Sequence, residues 1–176
     1  MISIWFYGSL MQQLINFFLV RSNFIIALIS FGLVLVAYLF EILGGFEPCP
    51  LCIFQRWCFV GMGLMALLKL FLGSKKIGIL AITGIWFFGA SGLIIAGRQI
   101  YLQHLPKELV PSCAPPMDFL LDALPFTEVL ATVFLADGNC AEEDWRFIFN
   151  FAEWAALGFL ALTLFSIASQ FIAKRT

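Results

Sequence analysis

The sequence predicts an all-α integral membrane protein, a four-transmembrane-helix bundle with one long loop between helices three and four. Three observations predict it. The chain of 176 residues is 62% hydrophobic and only 12% charged, with a mean hydropathy of +0.99, too apolar to be the surface of a soluble domain of that length. Residues 23–43, 53–72, 77–97 and 151–172 each supply the roughly 20 apolar residues needed to cross a hydrocarbon core of about 30 Å. None of these stretches alternates apolar and polar residues as barrel strands do, so each must satisfy its backbone hydrogen bonds internally, as a helix.

Residues 1–22 precede the first span. The stretch "MISIWFYGSLMQQLINFFLV" is apolar, but it lacks a basic start and is interrupted by Gln12, Gln13 and Asn16, which fits a cleaved signal peptide poorly. It is expected to lie along the membrane surface as an interfacial segment. The competing reading is a fifth span, which leaves room for a turn only around Arg21 and Ser22.

Charge sets the orientation of the spans. Arg21, Lys69, Lys75, Lys76, Lys174 and Arg175 lie before span one, at the hairpin between spans two and three, and after span four. Those ends, and with them both termini, are expected to face the cytoplasm. All 11 acidic residues fall at or between the opposite ends, from Glu41 to Glu47 and from Glu108 to Glu153. The net charge of −1 gives no compositional ground for a nucleic-acid partner. The partner that composition does demand is the lipid bilayer.

This topology sorts the 5 cysteines. Cys49 and Cys52 stand at the outer start of span two, and Cys113 and Cys140 in the outer segment between spans three and four, so these four thiols face the oxidising side. Cys58, deeper in span two, reads as an inert small hydrophobe.

The outer segment, residues 98–150, contains Pro106, Pro111, Pro115, Pro116 and Pro125, and no span can cross there. Within it "TEVLATVFLA", residues 127–136, is apolar but too short to span, and is expected to form a short surface helix with Thr127 as its N-cap. Asp137, Gly138 and Asn139 would end that helix in a turn that delivers Cys140. A loop this long is usually functional or disordered, and its two cysteines favour function. A disulfide between Cys113 and Cys140 is sterically reasonable, either as a structural staple or as an exchanging pair; spacing alone does not decide the pairing.

Cys49 and Cys52 form a CxxC pair in "FEPCPLCIFQR", residues 46–56. That spacing serves metal sites and redox sites alike. A zinc site would recruit Cys113, Cys140 or His104 as further ligands. A redox site uses more of the surroundings: Pro48 and Pro50 stiffen the approach, and Cys52 falls in the first helical turn, where unpaired amides and the helix dipole favour a thiolate. Arg56 follows Cys52 by four residues and so projects from nearly the same helix face. A guanidinium there is costly in lipid unless it snorkels or finds a partner, or it can hold an electron-rich carbonyl oxygen of a lipid-soluble acceptor beside the Cys52 sulfur. The chain carries no haem or iron-sulfur ligand pattern and no flavin fingerprint, and a quinone dissolved in the bilayer would suffice to reoxidise the thiols.

Four ordered motifs carry a resemblance. Pro48-Cys49-Pro50-Leu51-Cys52 with Gln55-Arg56, "GRQIYLQHLP" at residues 97–106, "VPSCAPPMDFLL" at 110–121 and "GNCAEEDW" at 138–145 resemble the disulfide bond formation protein B (DsbB) family of bacterial inner membranes, over nearly all of the chain except its first twenty residues. The resemblance implies a dithiol:quinone oxidoreductase with redox cysteines on the periplasmic side. It implies that Cys113 and Cys140 oxidise a periplasmic DsbA-type thioredoxin-like partner, Cys113 forming the mixed disulfide and Cys140 resolving it. It further implies that Cys49 and Cys52 pass the electrons to ubiquinone or menaquinone, with Cys52 on the quinone side, no metal in the site, and Arg56 as the quinone-side arginine. Arg98 and Gln99, at the same end of span three, are placed near the quinone by resemblance as well.

The pattern is broken after Trp145. Family members usually continue there with a Leu-Gly pair and a Pro before the next Trp, whereas this chain has "RFIFNFAEW", one residue shorter and without Gly or Pro. A different approach to span four is expected. Two other readings remain open on sequence: a vitamin K epoxide reductase-like thiol oxidoreductase, in which the CxxC lies late in the chain, and a metal-binding or purely structural membrane protein.

Overall fold

The computed structural model describes residues 2–45, 48–72, 74–106, 108, 117–135 and 150–175. Six helices make up the described fold: α1 (Ile2–Gly44), α2 (Pro50–Phe71), α3 (Lys75–Gln103), α4 (Met117–Ala123), α5 (Phe126–Leu135) and α6 (Phe151–Arg175). Four of them contain stretches long and apolar enough to cross a membrane, Arg21–Gly44, Pro50–Phe71, Lys75–Gln103 and Phe151–Ile172. α1 packs on α2 and α6, α2 on α3, and α3 on α6, so the spans close a ring in the order α1, α2, α3, α6. The chain is a four-helix membrane bundle.

Large apolar side chains such as Leu28, Ile42, Trp57, Phe87, Ile94 and Phe171 point away from the bundle axis. Lipid is the solvent that tolerates that arrangement. Across the centre, Phe59 of α2 stacks on Phe159 of α6, with ring centroids 3.8 Å apart and planes 7° from parallel. Phe159 is fully buried because Gly92 of α3 lies beneath it: a methyl group added at Gly92 would meet the ring at 2.3 Å. Where burial of apolar groups gives no net drive, such close approach of a small residue is what lets helices hold together.

The first helix is longer than the span it contains. α1 runs unbroken for 43 residues, about 65 Å at 1.5 Å per residue, with no turn at Arg21 or Ser22. The amino-terminal stretch therefore continues the helix of the first span. The physical reason is that no proline occurs before Pro48, and Gln12, Gln13 and Asn16 lower apolarity without breaking a helix. The helix ends at Gly45, whose left-handed backbone (φ 66°) lets its N–H close on the Glu41 carbonyl at 2.9 Å.

Helix α3 extends beyond residue 97. α3 continues to Gln103, because the first residue that resists helix is Pro106 and its restriction falls on Leu105. Arg98 and Gln99 are consequently helical, and His104 closes the helix, its Nδ1–H donating to the Ile100 carbonyl at 2.8 Å. The predicted surface helix is present as α5 but starts at Phe126: the Pro125 carbonyl accepts from the Glu128 and Val129 amides at 2.9 and 3.1 Å, so Thr127 lies inside the first turn and does not cap it. α4 was not expected, since seven residues after two prolines carry too little periodicity to read. Leu120 of α4 and Val129 of α5 are buried, and α5 rests on α2. Asp137, Gly138 and Asn139 lie outside the described residues.

The approach to span four ends in a cap of its own. Asn150 Oδ1 accepts from the Glu153 amide at 2.8 Å while Glu153 Oε2 accepts from the Asn150 amide at 2.9 Å, a reciprocal capping box. The Asn150 side chain, 1% exposed, also donates from Nδ2 to Gln103 Oε1 at 2.8 Å, tying the start of α6 to the end of α3. Asn150→Ala is expected to lower stability by about 1–2 kcal/mol, read as a lower thermal unfolding midpoint in detergent. An unchanged midpoint would refute the cap.

Candidate functional site

The site is built where the carboxy-terminal ends of α1 and α3 meet the amino-terminal ends of α2 and α6. Cys49 is the N-cap of α2, with extended backbone (φ −66°, ψ 156°), and Pro50 takes the first helical position, where its missing N–H costs nothing. Cys52 is then the third residue of the helix, one turn along, and the two sulfurs stand 2.9 Å apart. That is about 0.9 Å beyond a disulfide bond, so the pair closes with little backbone movement. The Cys52 amide donates to Cys49 Sγ at 3.4 Å. One of the otherwise unpaired amides of the first turn thus serves Cys49, whereas the sequence suggested that the helix start would favour Cys52.

Two buried glutamines back the thiols. Gln99, 3% exposed on α3, points its amide nitrogen at both sulfurs, 3.2 Å from Cys52 Sγ and 3.5 Å from Cys49 Sγ. The Gln99 Oε1 accepts from Gln55 Nε2 at 2.7 Å, and lies 3.7 Å from Cys52 Sγ, which can donate to it as a thiol. Gln55, 4% exposed, is one turn beyond Cys52 on α2. An amide in an apolar span is costly unless paired, and each of these pairs the other.

On the other side of the thiols lies a cavity of about 330 Å³. Leu33, Val34, Phe40, Phe59, Trp154 and Ala155 give it apolar walls from α1, α2 and α6, and Phe40 meets Phe151 edge to face at 5.8 Å where α1 and α6 adjoin. The polar groups on its wall are Cys49, Cys52, Gln55, Arg56 and Glu41. Arg56 Nη1 donates to Glu41 Oε2, an ion pair between α2 and the last turn of α1 that is only partly exposed. This pairing, and not snorkelling alone, makes a guanidinium tolerable at that depth.

The sequence-derived residues thus divide. Cys49, Cys52 and Arg56 are brought together at one cavity. Gln99 joins them from the thiol side and does not line the cavity. Arg98 does not line it either; its guanidinium lies over the Tyr101 ring at 5.8 Å. Cys58 is buried in the apolar cluster of the bundle. Cys113 and Cys140 lie outside the described residues. Among the described residues no group of three or more His, Cys, Asp or Glu side chains is placed to hold a metal ion.

Glu41 and Gln55 were not singled out from sequence. A signal for both existed: each is a polar residue at the edge of an apolar span, and Arg56 required an acidic partner on its own side of the membrane. What sequence lacked was the register between α1 and α2.

Comparison with known proteins covers this whole arrangement. The family model described as disulfide bond formation protein DsbB matches residues 20–169. Proteins named disulfide bond formation protein B are similar: one from Marinobacter nauticus is 39% identical over 149 residues, 81% of this chain and 86% of that protein. One from a Psychrobacter species is 37% identical over 175 residues, 94% of this chain and 99% of that protein. One from Xanthomonas oryzae pv. oryzae is 32% identical over 160 residues, 89% of this chain and 93% of that protein. With the match running through all four spans and the segment between the third and fourth, the chain belongs to the DsbB family of disulfide bond formation proteins.

Proposed function

We propose that this disulfide-forming membrane protein is a quinone-linked thiol oxidase that recharges a periplasmic DsbA-type partner. The observation that carries the proposal is one cavity on which Cys52, the other thiol of its pair, and Arg56 all open. The fit to a quinone head group is chemical: flat apolar walls from Phe40, Phe59 and Trp154, with amide and guanidinium donors from Gln55 and Arg56 on one side. A bound quinone would supply an acceptor for two electrons and two protons.

The chain's own residues do the rest. Cys49 and Cys52 begin as a disulfide and receive two electrons by exchange with the Cys113 and Cys140 pair, which in turn receives them from the partner through a mixed disulfide on Cys113. As dithiols, Cys49 and Cys52 release two protons and two electrons when their sulfur–sulfur bond closes again, and the 2.9 Å separation favours that closure. Arg56 holds and polarises an acceptor oxygen, and Glu41 fixes the position of the guanidinium against the wall. In this reading the termini are cytoplasmic, the thiols periplasmic and the membrane the bacterial inner one. A DsbA-type partner has a potential of about −120 mV, so the acceptor must be more oxidising still, which suits ubiquinone better than menaquinone.

Three outcomes test this. With reduced partner and a soluble ubiquinone analogue, Cys52→Ser is expected to abolish the loss of quinone absorbance; turnover at the wild-type rate would reject the assignment. Arg56→Met is expected to raise the KM for quinone about tenfold, roughly 1.4 kcal/mol, without slowing thiol exchange with the partner, and an unchanged KM would remove the arginine from the site. Cys140→Ala is expected to accumulate a partner adduct through Cys113 on non-reducing gels, and adduct-free protein would overturn the loop roles.

A further inference from the structure

Of the polar groups around the thiols, the two glutamines are the buried ones, and of these Gln55 reaches the cavity wall whereas Gln99 does not. Gln99 touches both sulfurs without lining the cavity, from a different helix from both cysteines. An amide side chain offers two donors at nitrogen and an acceptor at oxygen, and which end faces the sulfurs is decided by what the other end must satisfy. Gln55 decides it here. Its Nε2 donates to Gln99 Oε1 at 2.7 Å, which turns the Gln99 nitrogen towards Cys52 Sγ at 3.2 Å and Cys49 Sγ at 3.5 Å.

We infer that Gln99 is a sulfur-recognition residue that stabilises the reduced form of the Cys49–Cys52 pair, and that Gln55 is the positioning residue which orients it. The physical ground is the difference between the two redox states as acceptors. A thiolate sulfur is a strong, charged acceptor, and a donor aimed at it in a site shielded from water acts with little screening. A disulfide sulfur carries no charge and accepts weakly. One amide donor aimed at two sulfurs therefore favours the reduced pair, through its thiolate form, over the disulfide and makes the pair more oxidising, which is the property needed by a disulfide that must take electrons from the reduced form of a strong oxidant. The inference rests on the proposed reading of Cys49 and Cys52 as an exchanging pair, but not on the identity of the acceptor.

Glutathione redox buffers test it on the full-length protein in detergent, without quinone. The reduced pair and oxidised glutathione give the Cys49–Cys52 disulfide and two molecules of reduced glutathione, so two electrons and two protons leave the two thiols and the glutathione disulfide bond is the one broken. Alkylation followed by mass spectrometry of the peptide carrying both cysteines reads the equilibrium constant for this pair alone. Gln99→Leu is expected to shift that constant about tenfold towards the disulfide, equal to about 30 mV more reducing for a two-electron couple. Gln99→Glu, nearly isosteric, keeps an acceptor for Gln55 and sets a carboxylate beside the sulfurs; its shift is expected in the same direction and larger.

Gln55→Glu separates orientation from packing. A carboxylate at residue 55 can only accept, so Gln99 must turn its nitrogen away from the sulfurs and present oxygen to them. The constant is expected to move towards the disulfide although Gln99 is intact, whereas Gln55→Met, which removes the partner without reversing it, moves it less. Equal constants for the wild type and Gln99→Leu, or a shift towards the dithiol, would overturn the inference. A wild-type constant in Gln55→Glu would overturn the orienting role. Quinone reduction measured in parallel keeps the two proposals apart. If the glutamine variants shift as expected but the wild type reduces no quinone, only the proposed function fails; if quinone is reduced and the constants do not move, only this inference fails.

Discussion

The helix start at Cys49 is the constraint on which the site depends. A membrane span cannot leave its first amides unsatisfied in lipid, and here the acceptor for the Cys52 amide is a cysteine sulfur at the N-cap, followed by a proline that needs no acceptor of its own. Capping thereby places one sulfur outside the helix and the other one turn inside it, facing each other. The same geometry that ends the span thus brings two thiols to closing distance at the end of a membrane helix.

Around this pair the bundle distributes its polar groups by side. Gln55 and Gln99 satisfy each other in the packed seam between α2 and α3, whereas Arg56 and Glu41 face the cavity between α1, α2 and α6. Each would be costly alone among apolar spans, and each is present as one half of a pair. The consequence for chemistry is a thiol pair with a rigid hydrogen-bonding wall behind it and an apolar chamber with one fixed ion pair in front. The chamber is therefore less positive than a lone arginine would make it, because Glu41 offsets the guanidinium charge while fixing its direction.

Much of this was legible in the sequence because membrane folding writes its rules in length and charge. The four spans follow from apolar runs, and CxxC with an arginine one turn later marked the face of α2 that lines the cavity. Helix ends were less legible, since apolarity marks where lipid is and not where hydrogen bonding stops: α1 runs through Arg21, and α3 runs past Gly97 to Gln103. That extension is what carries Gln99 to the sulfurs. The cap at Asn150 had a signal in its spacing to Glu153, an asparagine three residues before a glutamate at the start of an apolar run. The Glu41 and Arg56 pair needed the register between two helices, which no single stretch encodes.

The proposed electron path requires that a quinone enter between α1 and α6 and stop against Arg56. A photoreactive ubiquinone analogue, cross-linked to the protein in bilayers and mapped by mass spectrometry, tests that location directly. Label on the α1 peptide from Leu33 to Glu41 and on the α6 peptide from Phe151 to Ala155, displaced by unlabelled quinone and lost in Arg56→Met, is the expected result. Label confined to the lipid-facing surface of α3, or undiminished by competitor, would contradict it.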